Sequence, residues 1–286
     1  MIEFIGEYRI LAPTVMYIIG FLLMMIVSLT TCKKHNLSKL NAFLFTLVSY
    51  VGGVAGAMFM GDQFTKVAVR YGGLESKVAI FGAVMFVPIF IIGAALIFGK
   101  PWRNVMDTMA PGGFIILTCA KFGCFIYGCC PGLPCEFGLY NPVFDMVMFP
   151  SQIFETVSMC FVVAFCFWYG LKYKNRVMGK AYPYTIMLYS VVRFAWEFIR
   201  YYDVEEMRHM FLGLTFWQLW CIVTFFEGLI WLLVMKHPRF NEFEDKYYII
   251  RSEFVDKLIL RIKCENKKDN DAKKIKNSKK NTWHNV

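Results

Sequence analysis

Apolar runs of roughly bilayer length alternate with short polar breaks along most of this 286-residue chain. A helix needs about 20 apolar residues to cross a hydrocarbon core. Runs of that kind fall near residues 10–31, 41–60, 78–99, 107–128, 152–171, 182–200 and 211–235. The pattern predicts an all-α integral membrane protein with seven transmembrane helices. Lys121 interrupts the fourth run, and Arg193 and Arg200 interrupt the sixth. After residue 235 the chain turns polar, so it divides into a membrane domain over 1–235 and a tail over 236–286. Within the tail, Ile250, Phe254, Leu258 and Ile262 recur every four residues. That spacing predicts an interfacial amphipathic helix on the inner surface. The Lys/Asn/Asp-rich end beyond Cys264 reads as disordered.

Lys and Arg orient a membrane chain, because they accumulate on the cytoplasmic side. Lys33, Lys34 and Lys39 follow the first run, Lys100 and Arg103 the third, and Lys172, Lys174, Arg176 and Lys180 the fifth. The segment from Phe122 to Leu171 contains neither residue type. Only the loop with Lys66, Arg70 and Lys77 runs against this alternation. The reading is N-terminus outside and C-terminus cytoplasmic, in a multi-pass protein of the cytoplasmic membrane. The outside then receives Arg70-Tyr71-Gly72-Gly73-Leu74, the cysteine-rich segment after Lys121, and Arg200-Tyr201-Tyr202-Asp203.

Composition narrows the class further. At 57% hydrophobic and 18% charged residues, the chain is too apolar for an ordinary soluble domain. The first run is as long as a true span and lacks a small-residue cleavage site, so it reads as a helix and not as a removable signal peptide. From Lys236 onward there are 14 Lys/Arg against 8 Asp/Glu, which is +6 of the total +10. Beside a membrane core this basic tail points to anionic lipid, and not to nucleic acid. The ten cysteines are no disulfide scaffold, since several lie inside apolar runs.

The chemistry concentrates where charges break the apolar pattern. Arg193, Glu197 and Arg200 fall at i, i+4 and i+7, so one helix face carries all three. Each central charge costs roughly 2.5–3.5 kcal/mol on insertion scales, so such residues face a cavity, a partner or a ligand. Arginine also binds phosphate in a bidentate fork. The stripe therefore suggests an enzyme that handles a phospholipid headgroup; the competing reading is a buried Arg–Glu pair that only joins helices.

The second segment runs from Ala120 to Cys135 and includes Lys121, Gly123, Gly128, Gly132 and four cysteines. Its glycines permit close approach and positive φ, and Pro131 and Pro134 end a helix. Lys121 lies about two turns inside that end, either lining a headgroup site or snorkelling to the surface. Cys124-x₄-Cys129 and Cys130-x₄-Cys135 miss the usual zinc spacing and have no nearby His, so no metal is expected. A Cys129–Cys130 vicinal disulfide and a thiol redox role for Cys129, Cys130 and Cys135 remain alternatives. The third segment is Phe149-Pro150-Ser151-Gln152-Ile153-Phe154-Glu155. Pro and Ser open a helix, and Glu155 complements its positive end. Capping leaves Gln152 unexplained, and its amide suits either a headgroup or the loop backbone.

Together these segments resemble the prolipoprotein diacylglyceryl transferase family. Ala120 through Gly132 is similar to the family's Gly-Arg-x-Gly-Asn/Cys-Phe-x-x-Gly-x-x-x-Gly run. Phe149 through Glu155 resembles its His-Pro-Ser/Thr-Gln-Leu-Tyr-Glu run. Arg193-Phe194-Ala195-Trp196-Glu197-Phe198-Ile199-Arg200 matches its Arg-Phe-x-x-Glu-Phe-x-Arg run. Gly213 through Gln218 resembles the start of its last span, and Met16 through Phe21 its first. The resemblance covers roughly 10–235.

It implies transfer of a diacylglyceryl group from phosphatidylglycerol, or a related anionic phospholipid, to the cysteine thiol of a lipobox-containing prolipoprotein. No cofactor is implied. Arg200 matches the family's essential arginine, and Lys121 stands where the family has another. Tyr71 stands where the family has a His proposed as base. Arg200, Lys121 and Tyr71 are thus the expected catalytic residues. Arg193, Glu197, Gln152, Glu155, Gly123 and Gly128 are the expected lipid-phosphate and substrate site. The further departures are Pro13-Thr14 in place of Tyr-Gly and Gly52-Gly53-Val54 in place of Gly-Gly-Arg. The alternatives are a relative with another acceptor and a non-catalytic lipid-binding membrane protein.

Overall fold

The computed structural model describes residues 11–70, 80–172, 178–202 and 212–251. Its chain divides into one unit over Met1–Leu233 and a second over Val234–Val286. Among the described residues, seven α-helices begin in the first unit: α1 (Ala12–Thr31), α2 (Lys39–Arg70), α3 (Ile80–Phe98), α4 (Trp102–Tyr127), α5 (Ser151–Phe167), α6 (Ala181–Glu197) and α7 (Phe216–Lys236). Six of these segments are long and apolar enough to cross a membrane. The exception is α6, at 17 residues, whose face carries Arg193 and Glu197. The all-α membrane character follows from side chains that cannot leave a bilayer cheaply and from backbone groups that only a helix satisfies there.

One element departs from the predicted pattern. A two-stranded antiparallel hairpin, β1 (Pro134–Asn141) and β2 (Met146–Met148), fills the loop between α4 and α5. It carries no Lys or Arg, and its strands alternate too weakly between polar and apolar residues to be read from periodicity.

The long helix α4 packs against α1, α2, α3, α5 and α6. Small residues allow these close approaches, as expected where lipid gives helices no hydrophobic reason to associate. The sharpest case is the crossing of α2 and α3. A Cβ on Gly82 would stand 1.9 Å from the Gly56 carbonyl oxygen, and one on Gly56 would stand 2.4 Å from that of Gly82. At the other end of α4, buried polar groups fix helix ends. Asp107 accepts hydrogen bonds from the Gly179 and Ala181 amides at 2.8 and 3.0 Å, holding the first residues of α6. His35, fully buried after α1, lies 2.9 Å from Thr108 Oγ1 and 3.2 Å from the Gly170 carbonyl.

The second unit contains a helix over 238–251. Phe243, Tyr247 and Ile250 line one groove on it together with Lys246 and Arg251. The amphipathic spacing expected from Ile250 onward falls, after Arg251, outside the described residues.

Candidate functional site

Five charged side chains, four from three helices and Arg200 from just beyond α6, form one continuous ribbon. Lys121 Nζ, on α4, lies 2.7 Å from Glu155 Oε2, on α5. Glu155 Oε1 lies 3.0 Å from Arg193 Nη1, on α6. Arg193 Nη2 lies 2.6 Å from Glu197 Oε2, and that oxygen lies 3.6 Å from Arg200 Nη1. Signs alternate from end to end, and three cations against two carboxylates leave a formal +1. The ribbon is buried: Lys121, Glu155, Arg193 and Glu197 are each at most 6% exposed. Burial of bare charges would be prohibitive, so pairing on both sides is what lets Arg193 exist here.

The two ends of the ribbon differ. Arg193 spends its guanidinium on two carboxylates, so it answers to the helix-joining reading of the sequence. Lys121 does not snorkel; it is turned inward onto Glu155. Arg200 keeps one long ion pair among the described residues, and its side chain is 15% exposed. It is the least buried member of the ribbon and closes one end of it. The cavity beside Lys121, Glu155, Arg193 and Trp196 is only about 10 Å³. That holds one water at most and is too small for a lipid headgroup.

Backbone pairing fixes Arg200, although it lies beyond the last residue of α6. The Gly132 amide donates to Phe149 O at 2.8 Å, and Phe149 N to Leu133 O at 3.0 Å. On its other edge the same segment bonds Leu133 N to Ile199 O at 2.9 Å and Tyr201 N to Pro131 O at 3.0 Å. Gly132 and Arg200 are thereby bridge partners. A Cβ on Gly132 would meet Phe149 O at 3.0 Å and Ile199 O at 3.1 Å, which explains the glycine.

The other expected site residues have mostly scaffolding partners. Gln152 Nε2 donates to the Cys129 carbonyl at 2.8 Å, the backbone option of the two foreseen. Glu155 is not a helix-end acid; it is the ribbon's carboxylate between Lys121 and Arg193. Gly128 ends α4 at φ +93°, in the left-handed region that glycine tolerates. Asn141 Nδ2 then donates to the Gly128 carbonyl at 2.7 Å. Gly123 lets α4 approach α1, with a Cβ there standing 3.0 Å from Pro13 Cα. Tyr71 and Asp203 lie outside the described residues.

Several contributors were not singled out from the sequence as site residues. Asn141 ties the hairpin to the end of α4. Tyr202 donates its hydroxyl hydrogen bond to Glu197 Oε1, and the Thr215 hydroxyl lies 3.4 Å from the same oxygen. Thr215 and Gln218 form a reciprocal capping box at the start of α7. Gln218 N donates to Thr215 Oγ1 at 3.1 Å, and Thr215 N donates to Gln218 Oε1 at 2.9 Å. The Thr-x-x-Gln spacing was the signal for that box. Cys130 was visible only as one of four cysteines. Its thiol is held well below the ordinary range, first by hydrogen bonds from Cys124 and Cys129, then by the charges of Arg200 and Lys121.

The chain's likeness to known proteins agrees with this geometry. A sequence-family model described as prolipoprotein diacylglyceryl transferase matches residues 1–234. A phosphatidylglycerol–prolipoprotein diacylglyceryl transferase 2 of Clostridium perfringens is 26% identical over 186 residues, covering 59% of this chain and 70% of that protein. Its counterpart in Clostridium tetani is 23% identical over 206 residues, covering 65% and 78%. The one in Teredinibacter turnerae is 27% identical over 248 residues, covering 79% and 84%. With the family match spanning the whole helical unit and the ribbon drawn from the three segments that resemble its motifs, this chain belongs to the prolipoprotein diacylglyceryl transferase family of multi-pass bacterial membrane enzymes.

Proposed function

We propose that this protein moves the diacylglyceryl group of phosphatidylglycerol, or a related anionic phospholipid, to the cysteine thiol of an exported lipobox precursor. The reaction is an alkylation of sulfur. The thiol loses its proton, a carbon–sulfur bond forms at the glyceryl carbon, the carbon–oxygen bond to phosphate breaks, and glycerol phosphate leaves with the electron pair. Negative charge develops on the phosphate oxygen, so the requirement is a fixed cation at that point. The single observation carrying the reading is the place of Arg200, held by the loop at the end of a net-positive ribbon.

In this reading Arg200 grips the phosphate, while Glu197 and Arg193 hold it in place. Lys121 and Glu155 anchor the far end. Gly123, Gly128 and Gln152 shape the loop, and Tyr71 is the candidate group for the thiol's proton. A tyrosine with an ordinary pKa of about 10 is a weak base at neutrality, so an assisted proton transfer is required there.

We also infer that α6 spans the membrane as the seventh helix. Its charges turn into the ribbon against α4 and α5, so its apolar face alone meets lipid. Seven crossings put the termini on opposite sides, and the Lys/Arg distribution sets N-terminus out and C-terminus in. In the same reading residues 1–235 form the transferase unit, and 236–286 a basic cytoplasmic tail attracted to anionic lipid.

Purified protein incubated with labelled phosphatidylglycerol and a lipobox thiol peptide should release glycerol phosphate and lipidate the peptide. Lipid binding without release, from well-folded protein, would leave the non-catalytic reading. Release with a different thiol acceptor only would keep the chemistry and change the acceptor.

A further inference from the structure

Three thiols beside the ribbon have no part in this chemistry. The sulfurs of Cys124, Cys129 and Cys130 all lie within 4.8 Å of one another. Their four-residue and adjacent spacings argued against convergence, and the fold overcomes that spacing by reversing the chain twice. Cys124 sits on the last turn of α4, the backbone turns left-handed at Gly128 with φ +93°, and Cys130 is itself left-handed at φ 59°. A non-glycine residue held there costs on the order of 1–2 kcal/mol and persists only where its surroundings impose it. Here they do. Gln152 Nε2 bonds the Cys129 carbonyl at 2.8 Å, and Ser151 Oγ bonds the Cys130 carbonyl at 3.3 Å. The start of α5 therefore pins both carbonyls and leaves both thiols turned toward Cys124.

We propose that Cys124, Cys129 and Cys130 form a trithiolate site for a soft, thiophilic cation of the Cu(I) class. The donor set holds sulfur alone, which selects Cu(I) over hard cations. Three sulfurs bound at about 2.3 Å from a common centre stand about 4 Å apart, so closure from the present spacing takes shifts below about 1 Å. Loading releases the thiol protons to solvent. Arg200 and Lys121 interact electrostatically with Cys130, and they offset the excess negative charge of three thiolates around one monovalent ion. The site stands apart from the transferase reading, since it needs neither lipid nor turnover.

The test is anaerobic titration of reduced, full-length protein in detergent with Cu(I), in competition with a chromophoric Cu(I) chelator. One equivalent should be retained, with sulfur-only coordination by X-ray absorption. Cys124→Ser and Cys130→Ser should each weaken retention by at least ~100-fold, and Cys160→Ser should change nothing. Should the serine variants misfold, alkylation of the wild type decides. Cu(I) must then shield the three cysteines while Cys135, in the hairpin outside the spans, still reacts. Absence of retention, equal retention by the triple serine variant, or failure of shielding would overturn the proposal. So would a disulfide within the trio that forms in the isolated protein and resists reduction. Arg200→Ala, which should slow turnover sharply, should leave the stoichiometry at one, so the two readings fail separately.

Discussion

Replacing Glu155 by Gln tests the ribbon where α5 joins α4 to α6. The carboxylate bridges Lys121 at 2.7 Å and Arg193 at 3.0 Å, with only 5% of the residue exposed. At an effective dielectric of about 20, each contact is worth about 6 kcal/mol before desolvation is counted. Desolvation cancels much of that gain, and removal of one partner of a buried pair typically costs about 3–5 kcal/mol net. The loss is large because the remaining cations stay buried. Glu155→Gln would leave three cations facing one carboxylate, raising the formal charge of the ribbon from +1 to +2. A shift in melting temperature on the order of 10 °C is expected at this chain length.

The direct assay is a double-mutant cycle with Lys121→Met, read by thermal or denaturant unfolding in one detergent. The double variant should be more stable than the sum of single losses predicts, by about 2 kcal/mol or more, because Met removes the orphaned ammonium. A coupling below about 0.5 kcal/mol would refute the idea that Glu155 and Lys121 share one buried network.

Arg200→Ala should divide activity from stability: glycerol phosphate release should fall by on the order of 10²–10³-fold, while unfolding shifts far less than for Arg193→Ala; equal destabilisation by both would remove the distinction between the two arginines. Arg200→Lys should restore only part of the rate, since a point charge cannot fork onto phosphate. Gly82→Leu should abolish the folded state, because any Cβ there meets the Gly56 carbonyl at 1.9 Å; a folded monodisperse variant in size-exclusion chromatography would contradict the crossing. Thr215→Val should cost about 1 kcal/mol by removing the cap on α7, and amide exchange should rise at Gln218 before it rises in α4. Asp107→Ala should loosen the first turn of α6 in the same assay, by leaving the Gly179 and Ala181 amides without their acceptor.

Much of this molecule was legible before folding. Lipid imposes a one-dimensional rule, so apolar length marked the helices and interrupting charges marked Lys121, Arg193 and Arg200. The i, i+4, i+7 stripe on α6 needed only helical geometry. Partner choice was a different matter, because ion pairs between α4, α5 and α6 depend on how three helices rotate against one another. Glu155 therefore read as a helix-end acid until the packing aimed it at Lys121 and Arg193. The backbone ladder that sets Arg200 opposite Gly132, between Pro131 and Leu133, depends on pairings between segments far apart in sequence that no local pattern encodes. The thiol trio is the same case in miniature: spacing argued against it, and two left-handed residues, Gly128 tied to Asn141 and Cys130 tied to α5, brought the sulfurs together. Periodicity and the cost of charge in lipid decided which segments cross and where chemistry must lie. Which cation is paired on both sides and which closes the end of the ribbon was decided by long-range packing alone, since partners are set only once their neighbours are in place.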